Sequence, residues 1–338
     1  MTSIDDVARA AGVSTSTVSR ALRGLPNVSE GTRATIKEAA SKLGYVPSSS
    51  ASGLASGRTL ALGVVVPSVS RWFYTKVLEG IDSELRLANY DTVLFNLGAH
   101  LGDRERVFHR SLLRKRTDAL IALCIDFTDD EKQELKSTGH PVMIVGGPVS
   151  GLRHVGIDER GVARTATRHL LSLGHRDIAL LGGEDEAGLN RRVPANRRAG
   201  YLEALAAEGI HPRPDREYVG AFSIATSRAV MRTALADPGD RPTAIFAESD
   251  EMAIGAMLAA GELGLTVPGD LSVIGIDDHD LAEGFGLTTM RQDPFAQGAL
   301  ATRMLLTELE TGTPVRRRSV ILPVTLIARA TTAPPRAS

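Results

Sequence analysis

Hydroxyl side chains crowd one short stretch near the start of the chain, and an arginine follows them. Five of the six residues from Ser14 to Ser19 are serine or threonine, and Arg20 comes next. Short hydroxyls allow a helix to approach nucleic-acid bases closely, and an arginine fork matches the O6 and N7 acceptors of guanine. The chemistry indicated is hydrogen bonding to base edges, in which no covalent bond is made or broken.

Two short helices joined by a tight turn are predicted to position these side chains. Apolar residues recur at helical spacing before the stretch, at Ile4, Val7, Ala8 and Ala11. Ser3 suits the N-cap of this first helix, with Asp6 three residues on, and Gly12 suits its end. Ser14 then caps a second helix, whose inner side holds Val18, Ala21 and Leu22. The outward side is left to Thr15, Ser16, Ser19 and Arg20.

A third helix is predicted from its cap, Ser29, to its end near Gly44. Its apolar positions are Ile36, Ala39, Ala40 and Leu43. Two helices joined by a glycine-containing turn form a helix-turn-helix, whose second helix lies in the major groove of DNA. Taken alone, the hydroxyl-rich stretch fits equally well two capped surface helices of an ordinary globular domain.

Length and composition describe an ordinary globular protein. The chain has 338 residues, of which 43% are hydrophobic and 23% charged. This length predicts about two to three domains. No run of about 20 apolar residues predicts a membrane span, and the polar amino end argues against a secretion signal.

Charge is distributed unevenly along the chain. The net charge is −1, but residues 1–58 carry seven basic and four acidic side chains, hence +3, and the remainder carries −4. A basic end on a mildly acidic body suits a module that contacts phosphates, although a charge of +3 is small.

Neither catalysis nor a metal site is indicated. The single cysteine, Cys124, lies in an apolar run and is expected to be a buried, inert thiol in a reducing cytoplasm. No nucleotide-binding, zinc-protease or serine-hydrolase motif occurs, and the histidines lack zinc spacing. The adjacent carboxylates Asp277 and Asp278 alone are weak evidence for a metal, which needs several convergent oxygens. We therefore expect no catalytic residues, no metal and no cofactor.

After Arg58, apolar runs alternate with helical patterns. Strands are predicted at Leu60–Val66, Thr92–Leu97, Ala119–Ile125, Val142–Val145, Ile178–Leu181, Ala244–Ala247 and Leu271–Ile276. Helices are predicted at about 72–88, 103–115, 129–137, 159–173, 195–208, 224–236 and 251–263. Such alternation is typical of parallel sheets covered on both faces. Two sheets are expected, with a small molecule buried between them, because ligands bind outside the carboxyl ends of parallel strands.

Serine and glycine dominate the segment between the helical start and the first strand. Residues 46–59 read first as a flexible linker.

The two sheets of the core would form two lobes, and the chain is expected to cross between these lobes at three places. The crossings are expected near 147–158, near 278–292 and at the last strand, 319–327.

Several motifs occur together in register along the chain. Near the start these are Ile4-Asp5-Asp6-Val7-Ala8, Ala11-Gly12-Val13-Ser14, Thr17-Val18-Ser19-Arg20, Val28-Ser29, Thr32-Arg33 and Leu43-Gly44-Tyr45-Val46-Pro47. They resemble the headpiece of the lactose-repressor (LacI/GalR) family of bacterial transcription regulators. The resemblance continues through Leu287-Thr288-Thr289-Met290-Arg291-Gln292-Asp293 to Ala333-Pro334-Pro335 and so covers essentially the whole chain.

The resemblance implies roles in DNA binding for particular residues. Base contacts are expected from Thr15, Ser16 and Arg20. Contacts to the DNA backbone are expected from Ser3, Ser14, Thr17, Ser19 and Asn27. A hinge helix that forms on DNA and enters the minor groove would use Ser48, Ala51 and Leu54, with Leu54 as a wedge between base pairs. Gly53 disfavours a helix there, so we expect the hinge to be disordered without operator DNA.

The same resemblance implies an effector site between the two lobes. Its expected residues are Trp72, Phe73, Asp158, Arg197, Ser249, Asp250 and Asp277. The arginine fork suits adjacent hydroxyls, and the carboxylates accept hydrogen bonds from them. For three residues a structural role competes with the effector role. Trp72 would instead pack over the start of a helix, Asp158 would be a helix N-cap, and Arg197 would lie on a solvated helix face.

Together these features predict a homodimeric, cytoplasmic, operator-binding regulator, most simply a repressor, that is no enzyme. The fold class expected is an all-α helix-turn-helix headpiece (1–46), a hinge helix (47–59) and a two-lobed core (60–338) like periplasmic binding proteins. Lobe one would span about 60–157 and 280–318, and lobe two 158–279 and 319–330. The effector expected is a sugar; a nucleobase or nucleoside is the alternative, because the Ser14–Thr17 helix is similar to that of the purine repressor. A sugar-transport protein is a further alternative.

Overall fold

The structure, a computed structural model, describes residues 2–22, 26–45, 58–98, 104, 116–183, 191–314 and 319–336. These residues form a three-helix headpiece and an α/β core with two six-stranded sheets. The predicted fold class, a helix-turn-helix headpiece followed by a two-lobed core of mainly parallel sheets, is confirmed. The hinge positions Ser48, Ala51 and Leu54 lie outside the described residues.

Local sequence sets the ends of the headpiece helices. The three headpiece helices are α1 (Ile4–Ala11), α2 (Thr15–Leu22) and α3 (Glu30–Lys42). Ser3 caps α1 in a capping box with Asp6, and Gly12 ends the helix with a φ of 68°. Ser29 accepts a hydrogen bond from the Thr32 N–H at the start of α3. The predicted caps of α1 and α3 are thus confirmed.

One small apolar core joins the three helices. Its buried members are Val7, Ala8, Val18, Ala21, Ile36, Ala39 and Ala40. Leu43, predicted to belong to this core, is 38% exposed, because α3 ends at Lys42 and Leu43 is its C-cap. The apolar spacing of the sequence therefore identified the core except at the end of α3.

The first lobe is built on a parallel sheet in the strand order β11–β5–β4–β3–β1–β2. Its strands are β1 (Ala61–Val66), β2 (Asp91–Asn96), β3 (Ala119–Leu123), β4 (Val142–Val145), β5 (Arg153–Gly156) and β11 (Ser319–Ile321). Its described helices are α4 (Trp72–Leu87), α5 (Asp129–Thr138) and α10 (Pro294–Thr311). In the register of the central strands, Val64 lies opposite Leu94 on one side and Ile121 on the other.

The second lobe repeats this plan in the strand order β12–β10–β9–β8–β6–β7. Its strands are β6 (Ile178–Gly182), β7 (Glu217–Val219), β8 (Ala244–Ala247), β9 (Ser272–Asp277), β10 (Thr288–Arg291) and β12 (Thr325–Ile327). Its helices are α6 (Glu159–Ser172), α7 (Arg192–Ala207), α8 (Ile224–Ala234) and α9 (Asp250–Glu262). All described strand pairs of the two sheets are parallel except β10–β12.

The lobe boundaries differ from those predicted. Residues 280–318 were expected in the first lobe, but β10 pairs with β9 in the second sheet. Residues 319–327 were expected as one strand of the second lobe, but they form two strands in different sheets, with β11 pairing with β5. Pro323 lies between these two strands and cannot donate to a ladder, so the chain changes sheets there. The third crossing is thus at 322–324.

Glycines allow the helices within each lobe to pack closely. A Cβ on Gly80 of α4 would collide with the Phe295 carbonyl of α10, and one on Gly200 of α7 would collide with the Arg160 carbonyl of α6. On Gly255 of α9, a Cβ would lie 2.5 Å from the carbonyl oxygen of Ile224 in α8. The close packing of these helix pairs therefore depends on glycine, which has no side chain, at each of the three positions.

Replacing Gly255 with alanine should destabilise the second lobe. The added methyl group overpacks the α8–α9 contact, which costs about 1–3 kcal/mol. Gly261→Ala in the same helix is the matched control, because nothing lies within 4 Å of a Cβ there. That control should stabilise by up to about 1 kcal/mol, the helix propensity difference. Urea denaturation measures both, and equal effects would contradict the close packing at Gly255.

Candidate functional site

Helix α2 presents a polar outer face above an apolar inner one. Val18 and Ala21 are buried against the other headpiece helices. Thr15, Ser16 and Arg20, the residues predicted to contact bases, are all exposed. Because its apolar side is fixed against the other headpiece helices and its polar side is exposed, α2 can enter a groove of DNA without reorganisation of the headpiece.

Ser14 organises the hydroxyl groups at the start of α2. Its Oγ accepts a hydrogen bond from the Thr17 N–H at 3.2 Å, which confirms its predicted role as the N-cap. The same Oγ lies 2.8 Å from the Ser16 Oγ and 2.8 Å from the Thr17 Oγ1. These contacts restrict the rotamers of Ser16 and Thr17 before any partner arrives, so less entropy is lost on binding.

Other headpiece residues hold the outer face in place. The Arg33 guanidinium of α3 donates to the carbonyl oxygen of Ala21 in α2 at 2.7 Å, near the negative end of that helix dipole. Asn27 is exposed and has a φ of 68°, a left-handed conformation that asparagine tolerates. Ser3 and Ser14 are engaged as caps, and their oxygens remain on the surface.

A second candidate site lies where the strands of both lobes end. Side chains at the carboxyl ends of β3, β8, β9 and β10 converge there on a cavity of about 50 Å³. Ligand pockets for drug-sized molecules are about 300–1,000 Å³, so the cleft as it stands is almost closed. Of the predicted effector residues, four line this cavity: Phe73, Arg197, Ser249 and Asp277.

Arg197 is a buried charge at the centre of this cleft. Only 5% of the residue is exposed. Its Nε donates to Glu159 at 2.7 Å, and Nη1 donates to the Glu248 carbonyl. Burial lowers the pKa of Arg197, but Glu159 and Asp277 more than offset it, so the net shift is upward. The guanidinium therefore stays charged while it lines the cavity.

Asp277 and two glutamines form a chain of hydrogen bonds between the lobes. Gln297 of α10 donates to Gln292 at 2.8 Å, and Gln292 donates to the Asp277 carboxylate at 2.6 Å. Burial raises the pKa of Asp277, against the effect of Arg197 and Gln292. Asp277 has a φ of 131°, an unusual conformation that aims the end of β9 toward the cleft. Such strain at a strand end is typical of binding sites.

Three predicted effector residues lie outside the cavity lining. Asp158 is exposed and caps α6, accepting from the Gly161 N–H at 2.9 Å, which is the structural role that competed with ligand binding. Asp250 is fully buried and accepts from Thr289 at 2.7 Å. Burial also raises the pKa of Asp250.

Trp72 is the third of these residues. It is the first residue of α4, and its ring lies against the His279 ring with 4.9 Å between centroids. His279 follows β9 and belongs to the second lobe, so this contact joins the lobes beside the cavity. Trp72 therefore packs at the helix start, as its alternative role predicted, but against the opposite lobe.

Several lining residues were not predicted from the sequence. They are Arg71, Glu159, Phe222 and Glu251, together with Gln292. Burial raises the pKa of Glu251, and the Arg71 charge opposes that rise. None of these positions stands out in the sequence, because the residues lie far apart along the chain and come together only where the two lobes meet.

Cys124 follows β3 and contributes to the cavity wall. It is buried, and burial raises the pKa of its thiol. The thiol is therefore protonated near neutral pH and a poor nucleophile, which agrees with the predicted inert role. Within the described residues, no group of histidine, cysteine and carboxylate side chains is arranged to hold a metal ion.

Comparison with known protein families finds a match for the headpiece and another for part of the core. A family model described as bacterial regulatory proteins, lacI family, matches residues 3–48. A second, described as a periplasmic binding protein-like domain, matches residues 167–332. Catabolite control protein A of Priestia megaterium is 34% identical over 306 residues, which cover 89% of this chain and 91% of that protein. The chain belongs to the lacI family.

Further similarities extend over most of the length of this lacI-family protein. The HTH-type transcriptional repressor PurR of Vibrio campbellii is 34% identical over 92% of both chains. A crystal structure of the lac repressor dimer bound to operator and the anti-inducer ONPF is 29% identical, with a TM-score of 0.85 over 98% of this chain and 99% of that one. The relatives are transcriptional regulators rather than enzymes, and this protein is a transcriptional repressor of their family. No helix in the described ranges has the length and apolarity needed to cross a bilayer.

Removing the charge of Arg197 should destabilise the core. Arg197→Met leaves Glu159 buried without its partner, and breaking a buried pair in this way costs about 3–5 kcal/mol. Adding Glu159→Gln to the same chain should recover much of the loss, since no unpaired charge then remains. Urea denaturation of the two single variants and the double variant measures the coupling. Purely additive effects would contradict the pairing.

Proposed function

We propose that this repressor binds a pseudo-palindromic operator as a homodimer in the cytoplasm and is controlled by a small molecule bound between its lobes. The observation that carries the proposal is the outer face of α2. There, Thr15, Ser16 and Arg20 stand exposed above buried Val18 and Ala21. One recognition helix reads few bases, so two-fold symmetry is needed for specificity.

The remaining headpiece residues position the protein on DNA. Ser3, Ser14, Thr17, Ser19 and Asn27 contact phosphates, which fix orientation without reading sequence. In this proposal the hinge residues Ser48, Ala51 and Leu54 enter the minor groove at the operator centre. An inserted leucine favours a deformable pyrimidine–purine step there.

A sugar or sugar derivative is the effector that the cleft suits best. Phe73 and Phe222 offer apolar faces, and Arg197, Ser249 and Asp277 offer donors and acceptors for hydroxyl groups. A nucleobase or nucleoside is the second candidate, because the same aromatic side chains suit a planar base, and because PurR is similar over most of the chain. Thermal-shift screening of both compound classes, with and without operator DNA, distinguishes these candidates.

Arg20→Ala should relax the choice of one base pair in each half-site. Loss of the bidentate contact removes about 1–3 kcal/mol of discrimination. Selection from random duplexes with the full-length protein measures the preference before and after the change. Lys37→Ala, at an exposed basic residue of α3, is the control, since loss of a phosphate contact would lower affinity evenly for all sequences. An unchanged preference in Arg20→Ala would remove this residue from base reading.

The selection also tests the wider proposal. The unaltered protein should enrich two inverted half-sites whose centres are about 10 base pairs, or a multiple of that, apart. Absence of any preference over random competitor at moderate salt, with and without the screened compounds, would overturn sequence-specific operator binding.

Arg197→Lys should abolish the effector response while operator binding remains. Lysine keeps a positive charge beside Glu159 but lacks the planar fork that binds adjacent hydroxyls. The shift in melting temperature caused by the effective compound should therefore disappear. Arg198→Lys is the control, because Arg198 is exposed and pairs with Glu217 at the surface. A retained response in Arg197→Lys would exclude Arg197 from the effector site.

A further inference from the structure

One arginine in the wall of the effector cavity has no carboxylate partner. Arg71 of the first lobe and Arg197 of the second both line the cavity. The Arg197 guanidinium pairs with Glu159 at 2.7 Å. Among the described residues, by contrast, no carboxylate oxygen lies within 4.0 Å of the Arg71 guanidinium. The positive charge of Arg197 is therefore compensated by a neighbouring carboxylate, whereas that of Arg71 is not.

The Arg71 side chain does not serve the helix that it precedes. Arg71 is the N-cap residue of α4, but its side chain makes no capping hydrogen bond. It extends instead across the cleft, where it donates to the backbone carbonyl of Phe222. Its guanidinium carbon lies 5.9 Å from the centre of the Phe222 ring. These contacts orient the guanidinium, and its remaining N–H donors can bind another molecule, because a guanidinium carries several donors in one plane.

The carboxyl group whose titration Arg71 affects is that of Glu251 in the second lobe. Burial raises the pKa of Glu251, and the Arg71 charge opposes that rise only in part. Both residues line the cavity, yet their charged groups are more than 4.0 Å apart. They therefore stand on the cavity wall without forming an ion pair, and a bound molecule can contact each of them.

The chemistry of the two groups decides which charge a ligand has to meet. A buried carboxyl group can become neutral by binding a proton, and burial raises the pKa of Glu251 and brings that of Asp277 to about 7. A guanidinium cannot be neutralised in this way, since it stays protonated at any physiological pH. The charge of the cavity wall that requires a counter-charge is therefore the positive charge of Arg71.

We propose that the effector carries an anionic group, a carboxylate or a phosphate, that binds the Arg71 guanidinium. The effector is then a sugar acid or a sugar phosphate rather than a neutral sugar. The planar fork of arginine matches both anions, and charge-assisted hydrogen bonds of this kind are strong. Ser249 and Glu251 meet hydroxyl groups of the same molecule. The inference rests on the proposed effector site and adds to it the charge of the ligand.

Matched compounds test the charge of the effector. The melting temperature of the full-length protein is measured at constant ionic strength with neutral hexoses, pentoses and disaccharides, each beside its acid and its phosphate ester, and with nucleobases. At least one acidic compound should raise the melting temperature more than its neutral parent does at the same concentration. The acid and the ester distinguish a carboxylate from a phosphate. Titration calorimetry then gives the Kd of the effective compound.

Substitution of Arg71 tests which residue reads the charge. Arg71→Gln should raise the Kd of the acidic compound about tenfold or more, because the amide keeps a donor but loses the charge. Arg71→Lys should recover part of the affinity, since an ammonium group keeps the charge without the fork. Arg86→Gln is the matched control: Arg86 lies on the same helix but pairs with Asp82 within it, so the Kd should not change. Circular dichroism confirms that each variant is folded.

A further variant distinguishes the cleft from the basic headpiece, which also attracts anions. A compound bound in the cleft loses affinity in both Arg71→Gln and Arg197→Lys. A compound that keeps its affinity in both variants binds elsewhere, and that result would overturn the inference.

Three other results also overturn the inference. They are a panel in which no acidic compound binds, a panel in which only neutral sugars or nucleobases bind, and a folded Arg71→Gln variant that binds the acidic compound as tightly as the unaltered protein. These measurements use no DNA. A protein that selects a preferred operator but binds a neutral effector would therefore refute this inference alone. An acidic effector bound by Arg71, in a protein without any preferred duplex, would refute operator binding alone.

Discussion

The cleft is organised around one buried positive charge. Burying a guanidinium is costly unless it is paired and hydrogen-bonded, and Arg197 meets that condition with Glu159 and the Glu248 carbonyl. Glu159 begins α6, and Glu248 follows β8, so the pairing fixes where α6, α7 and β8 meet. The Asp277 carboxyl at the end of β9 also faces this charge and helps to raise the pKa of Arg197. The relative positions of α6, α7, β8 and β9 are thus fixed at the point where a ligand would bind.

DNA reading and effector binding impose different demands, and the chain meets them in separate modules. The headpiece needs only the apolar core around Val18 and Ile36 to hold α2, and its polar outer face is left to solvent. The effector cleft instead buries titratable groups, several of whose pKa values are shifted by burial and by neighbouring charges. A cleft built in this way resists small rearrangements, since any displaced charge loses its partners.

Much of the fold follows from local sequence, whereas most of the site does not. The caps Ser3 and Ser29 and the apolar spacing of α2 reveal the headpiece directly. Short strands such as β5 and β7 give too brief a pattern to identify, and they form because neighbouring strands offer an edge. Arg197 and Asp277 were found through family resemblance. Arg71 and Glu251 were not found in this way, because their position in the cleft depends on how the two lobes meet.

Control of such a repressor requires that an effector bind two arrangements of the lobes unequally. A typical coupling of about 1–3 kcal/mol is no larger than a few interlobe contacts. The structure places contacts of that kind at the cleft rim, where Asp126 meets Arg192 and Trp72 meets His279. The lobe arrangement is therefore set by side chains whose contributions together are of the same order as the coupling. Substitution at the rim can retune the response without touching either the outer face of α2 or the buried charge of Arg197.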